Sequence, residues 1–161
     1  MLKAVFTFSL MFLLFSVSFG QVSSNKQEKV IFKANTEFSI QLETAFDTEK
    51  NSVGDNVNFI LNEDVNGDGQ KMLKGSLVYG RIVSVEKISA KNDTAKACIM
   101  FDFVKNGGDF ISLVAAVIAI DPNTESIKLS ASKMFSDGTL LSLKNKEISM
   151  DKGRIFRVKL T

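Results

Sequence analysis

The chain has 161 residues with 20 basic and 18 acidic side chains, no histidine, no tryptophan, one tyrosine and one cysteine. Without histidine, the commonest general base, zinc ligand and triad member is missing. A formal charge of +2, spread without blocks, argues against a nucleic-acid or polyanion binder, which carries a basic stripe.

The first twenty residues form a separate unit. Lys3 gives a short positive start, and Ala4 to Phe19 is an almost wholly apolar run of 16 residues. Ser18 and Gly20 place small residues at the minus-three and minus-one positions of a cut before Gln21. This is the pattern of a secretory signal peptide, and the run is shorter than the roughly 20 apolar residues of a spanning helix. Cleavage leaves 141 of the 161 residues, the size of one domain with its own core. No later apolar run is long enough to span a membrane, so the expected product is periplasmic or secreted. Residues 21–29 read as a polar, flexible leader, and 30–161 as one domain.

Within that domain strand signals follow one another. Phe38, Ile40 and Leu42 alternate with polar residues, as do Val57, Phe59 and Leu61, the period of two of a half-buried strand. Thr44 to Asp55 is polar and closes with a turn at Val53-Gly54-Asp55. Asn66-Gly67-Asp68-Gly69 is the strongest turn signal, and Lys71 to Leu73 returns from it. Leu77 to Lys87 forms a long strand with Gly80 in its interior, the mark of a bulge. Ala95, Ala97, Ile99, Phe101 and Phe103 are expected on one face of the next. Lys105 to Asp109 turns the chain back into Phe110 to Ile120, apolar on both faces and expected to be buried on both. Short strands over Ser126 to Ala131 and Gly138 to Leu143 follow, and Arg154 to Leu160 closes the domain. The fold class is all-β, a small single-domain barrel or sandwich.

One local pattern recurs. An apolar residue, then a tight turn on Asn or Gly, then a fresh strand appears at Phe32 to Ile40, Met72 to Gly80 and Met150 to Val158. Asn and Gly are the residues that tolerate positive φ, so the pattern predicts a repeated barrel corner.

Few residues point to chemistry. Asp64, Asn66, Asp68 and Gly69 match the first half of a calcium loop, with oxygen ligands at alternate positions. The twelfth position, which should carry a bidentate carboxylate, is Gly75, so a plain hairpin turn competes with weak calcium binding. Glu37, Glu43, Asp102 and Asp109 are the acids on or beside strands that carboxylate-pair hydrolysis would draw on. Cys98 has no histidine partner and reads as a small core filler. It also rules out an intrachain disulfide, so burial alone must hold the core.

Three segments also carry a resemblance: Ala34-Asn35-Thr36 to Leu42, Val53-Gly54-Asp55 to Phe59, and Leu73-Lys74-Gly75-Ser76 to Val83. Together they resemble the C-terminal β-barrel of conjugal-transfer, TrbI-like proteins of type IV secretion core complexes, over roughly Ile31 to Phe110. The resemblance implies a bacterial exported barrel without a catalytic residue, closest to small stand-alone relatives. The leading expectation is therefore an exported, non-enzymatic module that binds or associates at the cell envelope, with an envelope protein or a second copy as partner. A calcium-stabilised adhesion or matrix module is the alternative, and a carboxylate-dependent hydrolase the third.

Overall fold

The structure, a computed structural model, describes residues 32–135 and 138–161; the segments read as signal peptide and leader lie outside it. Its strands are β1 Glu37–Leu42, β2 Phe46–Asp47, β3 Asn56–Leu61, β4 Val65–Asn66, β5 Lys71–Met72, β6 Leu77–Glu86 and β7 Thr94–Asn106. They continue with β8 Asp109–Ser112, β9 Ala115–Asp121, β10 Lys128–Ala131, β11 Thr139–Lys144, β12 Ser149–Met150 and β13 Ile155–Leu160. No helix occurs among the described residues. The fold is all-β.

Antiparallel ladders join the main strands in the order β10-β11-β7-β6-β3-β1-β13-β9. Strand β7 is long enough to pair with β11 along its first half and with β8 along its second. Only Leu113 and Val114 separate β8 from β9, so the path of the sheet returns to β7 and nearly closes a barrel. Where β9 diverges from β7, the β10–β11 hairpin fills the opening. Thr139 Oγ1 bridges the remaining seam by accepting the Val117 N–H at 2.8 Å.

Alternation fills the barrel. Phe38, Ile40 and Leu42 of β1, Val57, Phe59 and Leu61 of β3, and Phe156, Val158 and Leu160 of β13 all point inward and are buried. The Phe59 ring meets Phe101 and Phe156 edge-on, at 5.5 and 5.1 Å between centroids. Each such side chain contributes about 1.5–3 kcal/mol by leaving water. Short two-strand ladders, β2–β12 and β4–β5, add Phe46, Met150, Val65 and Met72 to the same core.

The repeated corner is present, and four times. Asn35, Gly54, Gly75 and Gly153 have φ of 66, 94, 85 and 97°. In each case the following residue donates its N–H to the carbonyl three positions earlier, the closing bond of a tight turn. Each positive-φ residue also donates its own N–H, at 2.8 Å, to a carbonyl at a neighbouring strand: Leu160, Ile82, Leu61 and Leu42 respectively. Those four residues return the bond, donating to the carbonyls of Thr36, Asp55, Ser76 and Arg154 at 2.8–3.0 Å. The clasps are reciprocal. The corner before β1 holds β13 and the corner before β13 holds β1, while β3 and β6 hold each other the same way.

Two expectations need correction. Phe103 does not share the inner face with Ala95, Ala97, Ile99 and Phe101. Tyr79 opposes Phe103 and Gly80 opposes Phe101, which makes Asp102 an extra residue in β7. One extra residue reverses the alternation, so Phe103 turns outward and Val104 takes the core position. Gly80 sits at this bulge because a Cβ there would lie 2.9 Å from the Met100 carbonyl oxygen. Nor is the 110–120 segment buried on both sides. Ile111, Leu113, Ala115 and Val117 face the core, whereas Phe110, Val114 and Ile118 are 64, 43 and 37 % exposed.

The corners carry a direct test. Left-handed backbone costs an L-residue with a Cβ about 1–2 kcal/mol, so Gly75→Ala and Gly153→Ala should each lose about that much stability in urea unfolding. Gly108→Ala should stay within about 0.5 kcal/mol, since its φ is not positive and its Cβ would enter open space. Asn35→Gly should hold or raise stability.

Candidate functional site

The Asp64 loop is a hairpin over one end of the barrel. Val65 and Met72 pair across β4–β5 and bury their side chains, which leaves Asn66, Asp68 and Gly69 exposed. Asp64 already has partners: Oδ1 accepts the Lys74 N–H at 2.8 Å, and Oδ2 pairs with Lys71 Nζ at 2.6 Å. The Lys71 ammonium, and after it the Lys74 N–H, hold the Asp64 carboxyl below the usual carboxylate range. A cation here would have to displace Lys71. Among the described residues no three His, Cys, Asp or Glu side chains are grouped to hold a metal.

Asn106 explains why the hairpin sits where it does. From the β7–β8 turn its Nδ2 donates to the Lys71 carbonyl at 2.9 Å, while Oδ1 accepts from the Leu73 N–H and the Ser76 hydroxyl at 3.0 and 3.2 Å. One amide side chain thus joins the hairpin, the Gly75 corner and the β7–β8 turn. Gly67 closes the hairpin against Phe32, whose ring leaves no room for a Cβ.

The four strand acids stand apart in the fold. Glu43 pairs with Lys152 at 2.6 Å beside the Gly153 corner, and Asp102 pairs with Arg81 at 3.4 Å across the β6–β7 bulge. Glu37 opens β1 opposite Lys159, and Asp109 opens β8. No two of them share a hydrogen-bond partner among the described residues. Cys98 is buried, which pushes its thiol up and away from the reactive thiolate.

Two surfaces went unread in the sequence. The first lies outside the β6–β7–β8 ladder, where the Tyr79 and Phe103 rings stand 4.5 Å apart and Phe110 meets Phe103 edge-on at 5.2 Å. Val114, between β8 and β9, and Ile118 of β9 are exposed as well. The second is a groove of about 360 Å³ between the β10–β11 hairpin and the loop that precedes it, lined by Thr94, Glu125, Ser126, Lys128, Ser142, Leu143 and Lys144.

Glu125 in that groove is held by Arg154, the residue after the Gly153 corner. Nη1 and Nη2 of Arg154 meet the two carboxylate oxygens at 3.0 and 3.1 Å, and Nη1 also donates to the Pro122 carbonyl. Both side chains are largely shielded, and the forked contact holds the Glu125 carboxyl down at about 2.

A depressed folded-state value stabilises the fold above the unfolded value near 4.5, and that contribution is lost as pH falls towards 2. Glu125→Gln should therefore cost about 1–2 kcal/mol at neutral pH, with a gap to the parent that narrows steadily below pH 4.5 in denaturant titrations. A gap independent of pH would refute the pair's charge as its source. No family model, curated protein or solved structure matches this chain.

Proposed function

We propose that the chain is an exported, non-enzymatic β-barrel module that acts by binding or structural association at the bacterial cell envelope. The observation that carries this reading is the exposed aromatic cluster of Phe110, Phe103 and Tyr79, with Val114 and Ile118 also exposed further along the chain. Exposed clusters of apolar side chains mark association sites on protein surfaces. Aromatic residues are also the side chains that dominate binding interfaces. The sequence pattern of residues 1–20 supports export. The resemblance of the corner segments to TrbI-like barrels supports an envelope setting, with an envelope protein or a second copy of the chain as partner. The interior is filled by the barrel's own side chains, which leaves recognition to the outside.

Expression of the full chain in a bacterial host, followed by fractionation, mass spectrometry and chemical cross-linking, tests the proposal. The expected product begins at Gln21, lies in the periplasm or medium, and cross-links to an envelope protein or to itself. A Phe110→Ser, Ile118→Ser double variant should melt within a few degrees of the parent, since both side chains are partly in water already, yet lose the cross-link. A cytoplasmic, uncleaved chain, or cross-linking unchanged in the variant, would contradict it. Millimolar calcium should leave the melting temperature unchanged because Lys71 occupies Asp64. A rise abolished by Asp64→Asn would favour the calcium-stabilised module instead.

A further inference from the structure

The groove beside β10 and β11 has the composition of an anion site. Lys128 and Ser142 are directly opposed across β10–β11, and Lys144 and Thr94 across β11–β7, so register places two ammonium groups and two hydroxyls on one outward face, the Thr94 hydroxyl donating to Asp93 at the rim at 2.8 Å. Ser126 supplies a third hydroxyl from the loop. We propose that this groove binds a small oxyanion, of the phosphate or carboxylate class, between Lys128 and Lys144.

Three features favour an anion over any other occupant. The one carboxylate lining the groove, Glu125, is already neutralised by the forked contact with Arg154. Lys128 has no acid within ion-pair distance among the described residues. Lys144 meets Asp93 only at the exposed rim, at 3.4 Å, a pair that water screens and an anion can outcompete. The wall is also preorganised. Ser126 is held at φ 58°, and Asn123 clamps the loop by donating from Nδ2 to the Ile127 carbonyl and accepting the Ile127 N–H at Oδ1, both at 2.8 Å. A wall held in place before binding loses little entropy when the ligand arrives.

This site lies at the Thr94 end of β7, away from Phe103 and its contacts with Tyr79 and Phe110, so either surface can fail alone. The test is an amide chemical-shift titration of the full chain with inorganic phosphate, and separately citrate, at constant ionic strength. Saturable shifts are expected at Thr94, Ser126, Ser142 and Lys144, and the tighter of the two anions names the class. Lys128→Gln, Lys144→Gln together should weaken that binding at least tenfold while the rest of the spectrum superimposes, and Lys91→Gln should leave it unchanged. Shifts that fail to saturate, that scatter over all surface lysines, or that survive the double variant would overturn the proposal.

Discussion

The barrel depends on a two-bond clasp made four times. A strand that begins at a corner must turn sharply out of the preceding loop through a residue at positive φ, which glycine takes without a Cβ clash and Asn35 tolerates. Once there, its N–H points at the neighbouring strand and is accepted by a carbonyl, while the next residue's carbonyl accepts a bond in return. Strand ends are where ladders fray, since their outer groups lose partners to water. The clasps at Leu42, Leu61, Ile82 and Leu160 tie those ends down in two reciprocal pairs, β1 with β13 and β3 with β6. These four strands are adjacent in the sheet, in the order β6-β3-β1-β13. They form the rigid wall that the more irregular half of the barrel leans on.

The irregular half is where the molecule exposes surface for recognition. The extra residue at Asp102 turns Phe103 out to join Tyr79 and Phe110, and the break at Leu113 and Val114 redirects the chain from β7 to β13. That redirection opens the seam filled by β10 and β11, whose outer side carries the cationic groove. Both candidate surfaces therefore follow from departures from regular pairing. The groove is tied to the clasped wall by Arg154, which reaches Glu125 from the Gly153 corner, and the aromatic cluster by Tyr79 of β6.

Much of this was legible in the sequence because alternation is a local signal. The strands at 37–42, 56–61 and 155–160 show it plainly, and three of the four corners appear as an apolar residue three places before the turn residue: Phe32, Met72 and Met150. The fourth, at Gly54, shows in the sequence only as a turn. Asn51 stands at the apolar position and serves by hydrogen bonding instead, with Oδ1 accepting the Asp47 N–H at 2.9 Å and Nδ2 donating to Asp55 at 3.2 Å. Strands β2 and β12 are two residues each, too short to show a period. The Asp102 bulge leaves no trace in the pattern of β7 itself, because it is defined by what β6 places opposite. The groove is least legible of all: Thr94, Lys128 and Lys144 meet only through strand register, and Glu125 meets Arg154 across 29 positions.

Native-state hydrogen exchange measured residue by residue tests the clasped wall most directly. The eight clasp amides, those of Asn35, Gly54, Gly75, Gly153, Leu42, Leu61, Ile82 and Leu160, should exchange only through global unfolding, as slowly as the core amides of Phe59 and Phe156. Exchange of these eight at the rate of exposed turn amides, while the strand centres stay protected, would show that the corners do not hold the barrel.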